Sequence, residues 1–418
     1  MISIFCLCIV KYAVCLYLLN AAFWLVKYYI DFRRWKADGV VFNGNNSFSV
    51  TGDAIAGFKN RKLQRTYFYR SHWCLKEMGA RKLPPITGYL MFGRPRLSIN
   101  SAEVLTDVYM HKNSLVTKSD RSLKFFGHFI KTGLFFTQTS DPLFPERRKA
   151  LSGAFFKQKL IGMTKIIKEA TREQIRRLQQ VADRKFDLVA FTMELQSRII
   201  ISASVGSAHA DTRVDMESES GPTENMTLAE AFTQGFSVSM KRLYKPHNLL
   251  FPMFIEYAYM PYCRRYVRNI AKLRQLIQKM VDDRRKNPTD QDDLLSILLN
   301  TEFYSVDNDA TIIDEVLTFF FAGMKTIQIS TTNLVYQVVK NKHIREKLMS
   351  EIRPAVDDAA SGNIIESLTY ETVMEFEYLN QCYCEALRRE PPAGITFPHT
   401  VSQDTTFGNV RIKAGQIF

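Results

Sequence analysis

Phe319-Phe-Phe-Ala-Gly-Met-Lys-Thr-Ile-Gln-Ile-Ser-Thr-Thr332 is the stretch that decides the fold. It lies in the run 309–340, which has no proline and a single glycine, Gly323, and this pattern predicts one long helix. The run is apolar on nearly every side, so we expect the helix to be buried in a large core. Ala322 and Gly323 remove side-chain bulk for one turn and Thr326 adds a hydroxyl on the next, which leaves room for a large flat group. Close helix packing with a threonine bonded to its own backbone explains the same pattern.

A second motif follows in Tyr378-Leu-Asn-Gln-Cys-Tyr-Cys-Glu-Ala-Leu-Arg-Arg-Glu-Pro-Pro392. Glu385 and Arg388 are three residues apart, so they share one face of a helix that the two prolines end. Taken alone, such a pair is an ordinary salt bridge on a solvated surface. The two motifs together, in this order, are far more specific than either one.

In order and spacing, these motifs resemble those of the cytochrome P-450 family of haem-thiolate monooxygenases. The segment 322–326 matches the family's oxygen-binding helix motif, and 385–388 matches its Glu-x-x-Arg motif. The resemblance implies a mainly α fold, with a large helical domain around a long central helix and a small β region. It implies haem as the cofactor, with O₂ beside the two small residues and the Thr326 hydroxyl helping to deliver protons. Glu385 and Arg388 are then expected to brace the core below the haem.

Three further residues are matched to haem-site positions of the family. Phe144-Pro-Glu-Arg-Arg148 resembles a helix whose Trp and Arg donate to a haem propionate. Arg148 matches, and a guanidinium suits a carboxylate because it donates two N–H bonds in a fixed fork. Phe144 stands at the Trp position and has no N–H to donate. His399 stands where the family often has an arginine that meets a propionate, and it offers one hydrogen bond with less charge.

Lys325 departs from the family pattern, because the residue before the central threonine is usually an acid. That acid is thought to feed protons toward bound dioxygen. A lysine could relay protons only through water or with a lowered pKa.

The N-terminus is predicted to be a membrane anchor. Residues 2–26 are almost wholly apolar, and as a helix they would extend about 37 Å, enough to cross a bilayer. Arg33, Arg34 and Lys36 follow, which favours a single-pass topology with the main domain in the cytosol, at the endoplasmic reticulum by resemblance to microsomal members. The competing interpretation, a cleaved signal peptide, lacks a basic residue ahead of the apolar run and a convincing small-residue cleavage site.

We expect three parts: the anchor at 1–30, a linker and basic segment at 31–87, and a P-450-like domain at 88–418. The family's iron ligand is a cysteine in a Phe-x-x-Gly-x-Arg-x-Cys-x-Gly loop, and no such loop occurs in the 418 residues. The thiolate ligand is therefore expected to be absent from this chain and the domain incomplete at its C-terminus. Cys382 and Cys384 cannot replace it, because they lie on the helix of Glu385. The seven cysteines show no metal-ligand spacing, so no protein-bound metal site is predicted.

Composition limits the partners. The net charge of +14 fits a solvated basic surface, acidic membrane lipid or an acidic redox partner. Nucleic acid is not expected, because the basic residues are spread without a recognisable binding motif. The resemblance implies a haem-dependent monooxygenase that inserts one atom of O₂ into a lipophilic substrate, with electrons from NADPH through a reductase. An inactive haem-less remnant and a membrane-tethered helical interaction protein remain as alternatives.

Several local elements are also predicted. Residues 89–99 read as a β-hairpin, and Ser101 can cap a helix that starts at Ala102. A helix is expected over 145–160. The polar, acidic stretch 207–225 is expected to be a mobile loop.

Overall fold

The computed structural model describes most of the chain, in ranges separated by short gaps. The described residues are 2–42, 48, 82–91, 94–119, 126–152, 157–180, 185–218, 221–243, 261–289, 293–305, 308–357, 365, 368–393 and 396–418. They fall into two compact units. One, here called the β-rich unit, combines 1–122 with 395–418, and the other, the helical unit, spans 123–394.

The β-rich unit opens with a long helix and a small sheet. Its first elements are α1 (Ile2–Ala37), β1 (Val41–Phe42), β2 (Ile86–Met91) and β3 (Arg94–Ile99). Strand β1 runs parallel to β2, and β2 pairs antiparallel with β3 from Ile86↔Ile99 to Met91↔Arg94. The predicted hairpin is therefore confirmed.

A capped helix follows the hairpin, as expected. The elements are α2 (Ala102–Thr106), a π-helical turn (Asp107–His111), a 3₁₀ turn (Asn113–Leu115) and β4 (Val116–Lys118). The Ser101 side chain accepts a hydrogen bond from the Val104 amide, which satisfies one of the free N–H groups at the start of α2.

The helical unit is built around the long central helix. Its elements are a 3₁₀ turn (Leu134–Phe136), α3 (Phe144–Ser152), α4 (Lys157–Gln179), α5 (Leu188–Val205), a 3₁₀ turn (Ser207–His209), β5 (Arg213–Glu217), β6 (Thr223–Thr227), α6 (Leu228–Leu243), α7 (Pro261–Lys286), α8 (Leu294–Leu299), α9 (Glu302–Ser305), α10 (Asp309–Lys340), α11 (Lys342–Asp357), α12 (Tyr370–Met374) and α13 (Glu377–Arg389). The predicted central helix has the bounds of α10 and is confirmed.

Two local predictions in this unit are wrong. The helix expected over 145–160 ends at Ser152, and Lys157–Leu160 are the first turn of α4 instead. The stretch expected to be a mobile loop forms an antiparallel hairpin, β5 with β6. That hairpin is held by its side chains: Asn269 accepts from the Glu217 amide, and Arg268 pairs bidentately with the Glu217 carboxylate. Polar composition did not reveal these partners because they lie far along the chain.

The chain returns to the β-rich unit with β7 (His399–Val401), β8 (Thr405–Phe407) and β9 (Val410–Ile412). Strand β7 pairs antiparallel with β4, and β8 with β9. The core of this unit takes residues from both ends of the chain, since Phe32, Trp35 and Phe42 are buried with Phe407 and Ile412.

The end of α1 is part of this core. The Trp35 indole N–H donates to the Arg411 carbonyl at 2.9 Å, and the Asp38 carboxylate accepts from the Arg411 guanidinium. The helix thus continues past the predicted anchor, and 31–42 are helix and strand where a linker was expected. Residues 43–47 and 49–81 of that predicted linker lie outside the described residues.

Among the residues whose side chains the structure describes, which exclude 2–11 of α1, helix α5 is long and apolar enough to cross a membrane. It packs along α10 in the helical unit. Its buried side is largely polar, with Thr192, Gln196, Ser197, Ser202 and Ser204. A buried core helix passes the same test of length and composition, and we interpret α5 as one.

Candidate active site

The small residues of α10 have different surroundings. Gly323 faces α5, and a Cβ at this position would lie 2.4 Å from Ile200 Cδ1, so the end of the Ile200 side chain would have to shift for a larger residue. Ala322 is exposed, and the half-buried Thr326 donates its hydroxyl hydrogen to the Ala322 carbonyl. Close packing and a back-bonded threonine therefore both occur here. Lys325 is exposed beside them.

Phenylalanine side chains form an apolar wall next to this segment. Phe321, which directly precedes Ala322, lies 5.1–5.5 Å ring to ring from Phe135, Phe136 and Phe236. Phe126 contacts Phe136 at 5.1 Å. These five residues, the phenylalanine cluster, come from α10, α6 and the segment 126–137, and Phe135 is 42% exposed. Phe126 and Phe136 are buried, so Phe135 is the ring of this cluster whose exposed apolar surface suits contact with a lipophilic molecule.

Two consecutive acids of α10, the acid clamp, hold the segment 126–137. Asp314 accepts from the Thr132 amide at 2.7 Å and from the Thr132 hydroxyl at 2.8 Å. Glu315 accepts from the Leu134 amide with both carboxylate oxygens, at 3.1 and 3.0 Å. Gly133 lies between these contacts, and a Cβ there would be 2.0 Å from Thr318 Oγ1. The backbone that carries Phe135 and Phe136 is thereby fixed to the central helix.

Two arginines, one buried and one half-buried, and a buried tyrosine bond to the acid clamp. Arg274 pairs with Asp314, and Arg147 of α3 donates to Glu315 at 2.8 Å and also to the Thr132 carbonyl. Tyr304 donates its hydroxyl hydrogen to Glu315 at 3.2 Å. Burial raises the pKa of the Glu315 carboxyl, although the Leu134 amide and Arg147 act in the opposite direction. Burial and the neighbouring carboxylate both raise the pKa of Tyr304.

The two α3 residues that were matched to a haem-propionate site, Arg148 and Phe144, are less buried than the acid clamp. Arg148 is exposed and Phe144 is half-buried, whereas Arg147 is only 5% exposed. Sequence reasoning missed Arg147 and the acid clamp. A usable signal was present, because two adjacent acids inside an apolar helix need buried partners.

His399 lies on β7 in the β-rich unit. Its ring packs on Phe418 and Tyr109, each with centroids 5.9 Å away. The Nδ1 atom is buried and has no hydrogen-bond partner. Burial lowers the pKa of His399, and the nearby Lys118 charge acts in the same direction, against a weaker opposing hydrogen bond at the Phe397 backbone.

The Glu-x-x-Arg pair forms on α13. Arg388 donates to both carboxylate oxygens of Glu385, each at 2.6 Å. The side chains are 70% and 54% exposed, respectively, so the pair lies on the surface of the helical unit and not in its core. The start of α13 is held separately, since Glu351 of α11 accepts from the Tyr378 and Leu379 amides.

Comparison with known proteins identifies the family. A family model described as Cytochrome P450 matches residues 75–418. The chain belongs to the cytochrome P450 family. The resemblance seen in the sequence is confirmed, and so is the mainly helical fold with small sheets.

Three relatives illustrate the range of similar proteins. Cytochrome P450 4c21 of Blattella germanica is 24% identical over 391 residues, which cover 89% of this chain and 72% of the relative. Cyclooctat-9-en-7-ol 5-monooxygenase of Streptomyces melanosporofaciens is 25% identical over 64% of this chain. A bifunctional cytochrome P450/NADPH–P450 reductase of Aspergillus oryzae is 31% identical over 36% of this chain. The chain spans 54% of the length of the second and 14% of the third.

Haem is the cofactor that the P450 family implies, and the donor set can be tested against it. In the β-rich unit, the buried Nδ1 of His399 has no hydrogen-bond partner and can donate to a carboxylate such as a haem propionate. In the helical unit, the exposed Arg148 guanidinium can donate to such a carboxylate, and Phe144 cannot. Each unit taken by itself therefore offers a donor that suits a propionate.

Proposed function

We propose that this P450 is a haem-dependent monooxygenase that inserts one oxygen atom of O₂ into a lipophilic substrate, with electrons from NADPH through a reductase. The observation that carries the proposal is the family match over 75–418, in which α10 presents Ala322, Gly323 and Thr326 in the family's order. When bound, haem supplies the O₂ activation that no side chain of this chain provides.

The residues of the chain position groups and move protons in this proposal. Arg148 and His399 hold propionates by donated hydrogen bonds. Thr326 can accept and pass a proton at its hydroxyl oxygen, whose own hydrogen is held by the Ala322 carbonyl. Lys325, exposed beside it, reaches solvent and can exchange protons with water. The phenylalanine cluster gives the substrate an apolar wall next to Ala322.

We further propose that α1 anchors the protein in the endoplasmic reticulum membrane. Between Tyr12 and Ile30, most of the apolar side chains that the structure describes on this helix are exposed. They include Leu16, Leu19, Phe23, Val26 and Ile30, each 57–68% exposed. Free apolar surface of this extent along one helix needs a nonaqueous neighbour. The fused reductase of the Aspergillus relative supports a reductase as the electron donor.

The deciding experiment is the absorption spectrum of the purified protein. Haem that copurifies, with the Soret band of a thiolate-ligated iron in the dithionite-reduced sample under carbon monoxide, supports the monooxygenase. Protein that binds no haem favours the haem-less alternative.

A further inference from the structure

Three side chains meet where α1 reaches the small sheet. The Arg94 guanidinium carbon lies 5.2 Å from the centre of the Tyr28 ring. Arg96 follows on the same outward face of β3, because Pro95 and Leu97 between and beyond them point into the core. Successive residues on one face of a strand are about 7 Å apart, a spacing at which two guanidinium groups can bracket one phosphate.

The two guanidinium groups are short of partners. The Arg96 Nε atom is buried without a hydrogen bond. Among the described residues, no ion pair joins Arg94 or Arg96 to a carboxylate, and Asp31, an acid whose charge acts on Tyr28, is paired with Arg34 at 3.2 Å. Burial lowers the pKa of Arg94, and the positive charge of Arg96 acts in the same direction. Adjacent, partly buried like charges are costly unless an anion binds between them.

The position of these three side chains along α1 indicates which anion binds between the two arginines. The exposed apolar surface of the helix ends at Ile30, and Phe32 and Trp35 are buried in the β-rich unit. A hydrocarbon core about 30 Å thick takes about twenty residues of helix, so a span that ends near Lys27 places Tyr28 among the headgroups. Lys27 itself lies over the Trp24 ring at 4.9 Å, an arrangement typical of an interfacial residue pair.

We propose that Tyr28, Arg94 and Arg96 form a binding site for the phosphate of a membrane lipid at the point where α1 leaves the bilayer. The site rests on the proposed membrane anchoring. Its effect is to hold the β-rich unit at a fixed depth, because α1 continues without a break into that unit's core.

The test uses the full chain in dodecyl maltoside micelles, observed by native mass spectrometry. Dihexanoyl phosphatidic acid, dihexanoylglycerol, which has no phosphate, and inorganic phosphate are added in separate titrations. We expect wild type to retain phosphatidic acid and not dihexanoylglycerol. The R94Q/R96Q double variant should bind it roughly 25-fold more weakly, at about fivefold per charge. The control R33Q, at an exposed arginine of α1 outside the site, should bind as wild type does.

Each outcome decides the proposal. Equal retention of the two lipids by wild type, or unchanged binding by a folded double variant, overturns it. Inorganic phosphate that binds as tightly as phosphatidic acid overturns the assignment to lipid. If the double variant does not fold, the comparison of the two lipids on wild type decides alone. Alkaline carbonate extraction of membranes tests the anchor separately, so a chain that is extracted but still selects phosphatidic acid keeps the site and loses the anchor.

Discussion

Arg147 and Arg148 are neighbours in the chain, yet their environments and roles differ. Arg147 is buried against Glu315 and the Thr132 carbonyl, and Arg148 points to solvent, where it is free to meet a carboxylate. A buried ion pair depends on further hydrogen bonds to its remaining polar atoms. Glu315 has such bonds from Leu134 and Tyr304, whereas the Arg147 Nε is buried without one. Arg147 is thus structural, and its removal should show in stability before any effect on activity.

Arg147→Ala should lower the free energy of unfolding by about 3–5 kcal/mol, because it leaves the Glu315 carboxylate buried without a cation. Arg388→Ala is the matched control: its bidentate partner is also a glutamate, but the pair is exposed, so stability should stay within experimental error of wild type. Denaturant titration of both variants measures this. A larger loss at Arg388 than at Arg147 would contradict the structure and favour the buried brace expected from the motif.

Thr326→Ala should leave fold and haem content unchanged but divert reducing equivalents to peroxide, if the hydroxyl directs protons as proposed. Thr326→Ser keeps the hydroxyl and is the control. Peroxide formed per NADPH consumed is the measurement. Equal coupling in wild type and Thr326→Ala would show that the proton path does not use this hydroxyl, which agrees with a purely back-bonded threonine.

His399 should make the stability of the protein sensitive to pH. Its pKa is lowered by burial, so the folded protein holds fewer protons on this ring than the unfolded chain does near pH 6. The resulting stability is present above the unfolded pKa of about 6.5 and is lost as pH falls through the folded pKa. His399→Phe keeps the ring contacts and removes the titration. Between about pH 7.5 and pH 5.5, wild type should lose more unfolding free energy than the variant. An identical loss would remove His399 from the pH response.

At the scale of elements, the two close glycine contacts of α10 differ in whether the neighbouring atoms can move to make room for an added methyl group. Gly133→Ala should cost about 1–3 kcal/mol, because the new methyl group meets Thr318 Oγ1 and the Asp314 carbonyl, and a backbone carbonyl cannot move aside. Gly323→Ala should be close to neutral. Its methyl group meets only the flexible end of Ile200, and alanine gains up to about 1 kcal/mol over glycine within a helix. Thermal unfolding of the two variants gives the order, and the reverse order would show that the acid clamp does not fix the segment 126–137.

An element could be predicted from the sequence when the interactions that form it join residues close together in the chain. The bounds of α10 and the capped start of α2 follow from local periodicity and capping, and they were predicted correctly. The β5–β6 hairpin and the acid clamp depend on partners such as Asn269 and Arg147, which are distant in sequence. In the candidate site, Gly323 was recognised as a point of close approach, but Ile200 as its neighbour could not be. The exposure of Glu385 and Arg388 is likewise a property of packing, and no spacing encodes it.

At the scale of the whole molecule, the proposed anchoring by α1 has a topological consequence. The helix is continuous from Ile2 to Ala37, so an anchor formed by α1 would place the β-rich unit on the side of the membrane to which Arg33, Arg34 and Lys36 belong. Clustered basic residues beside a span remain in the cytosol, which predicts that both units face it.

Protease added outside sealed microsomes should therefore digest the protein down to a fragment that contains α1. A lumenal marker protein must stay intact in the same sample, and detergent must make it sensitive. As a charge control, R33Q/R34Q/K36Q should increase the fraction of protected chain, because the bias that holds this end in the cytosol is weakened. Full protection of the wild-type protein would mean the opposite orientation, with the units in the lumen and out of reach of a cytosolic reductase. Digestion that leaves no membrane-bound fragment would show that α1 does not span the bilayer, and the family's chemistry would then have to be sought in a protein that is not anchored by this helix.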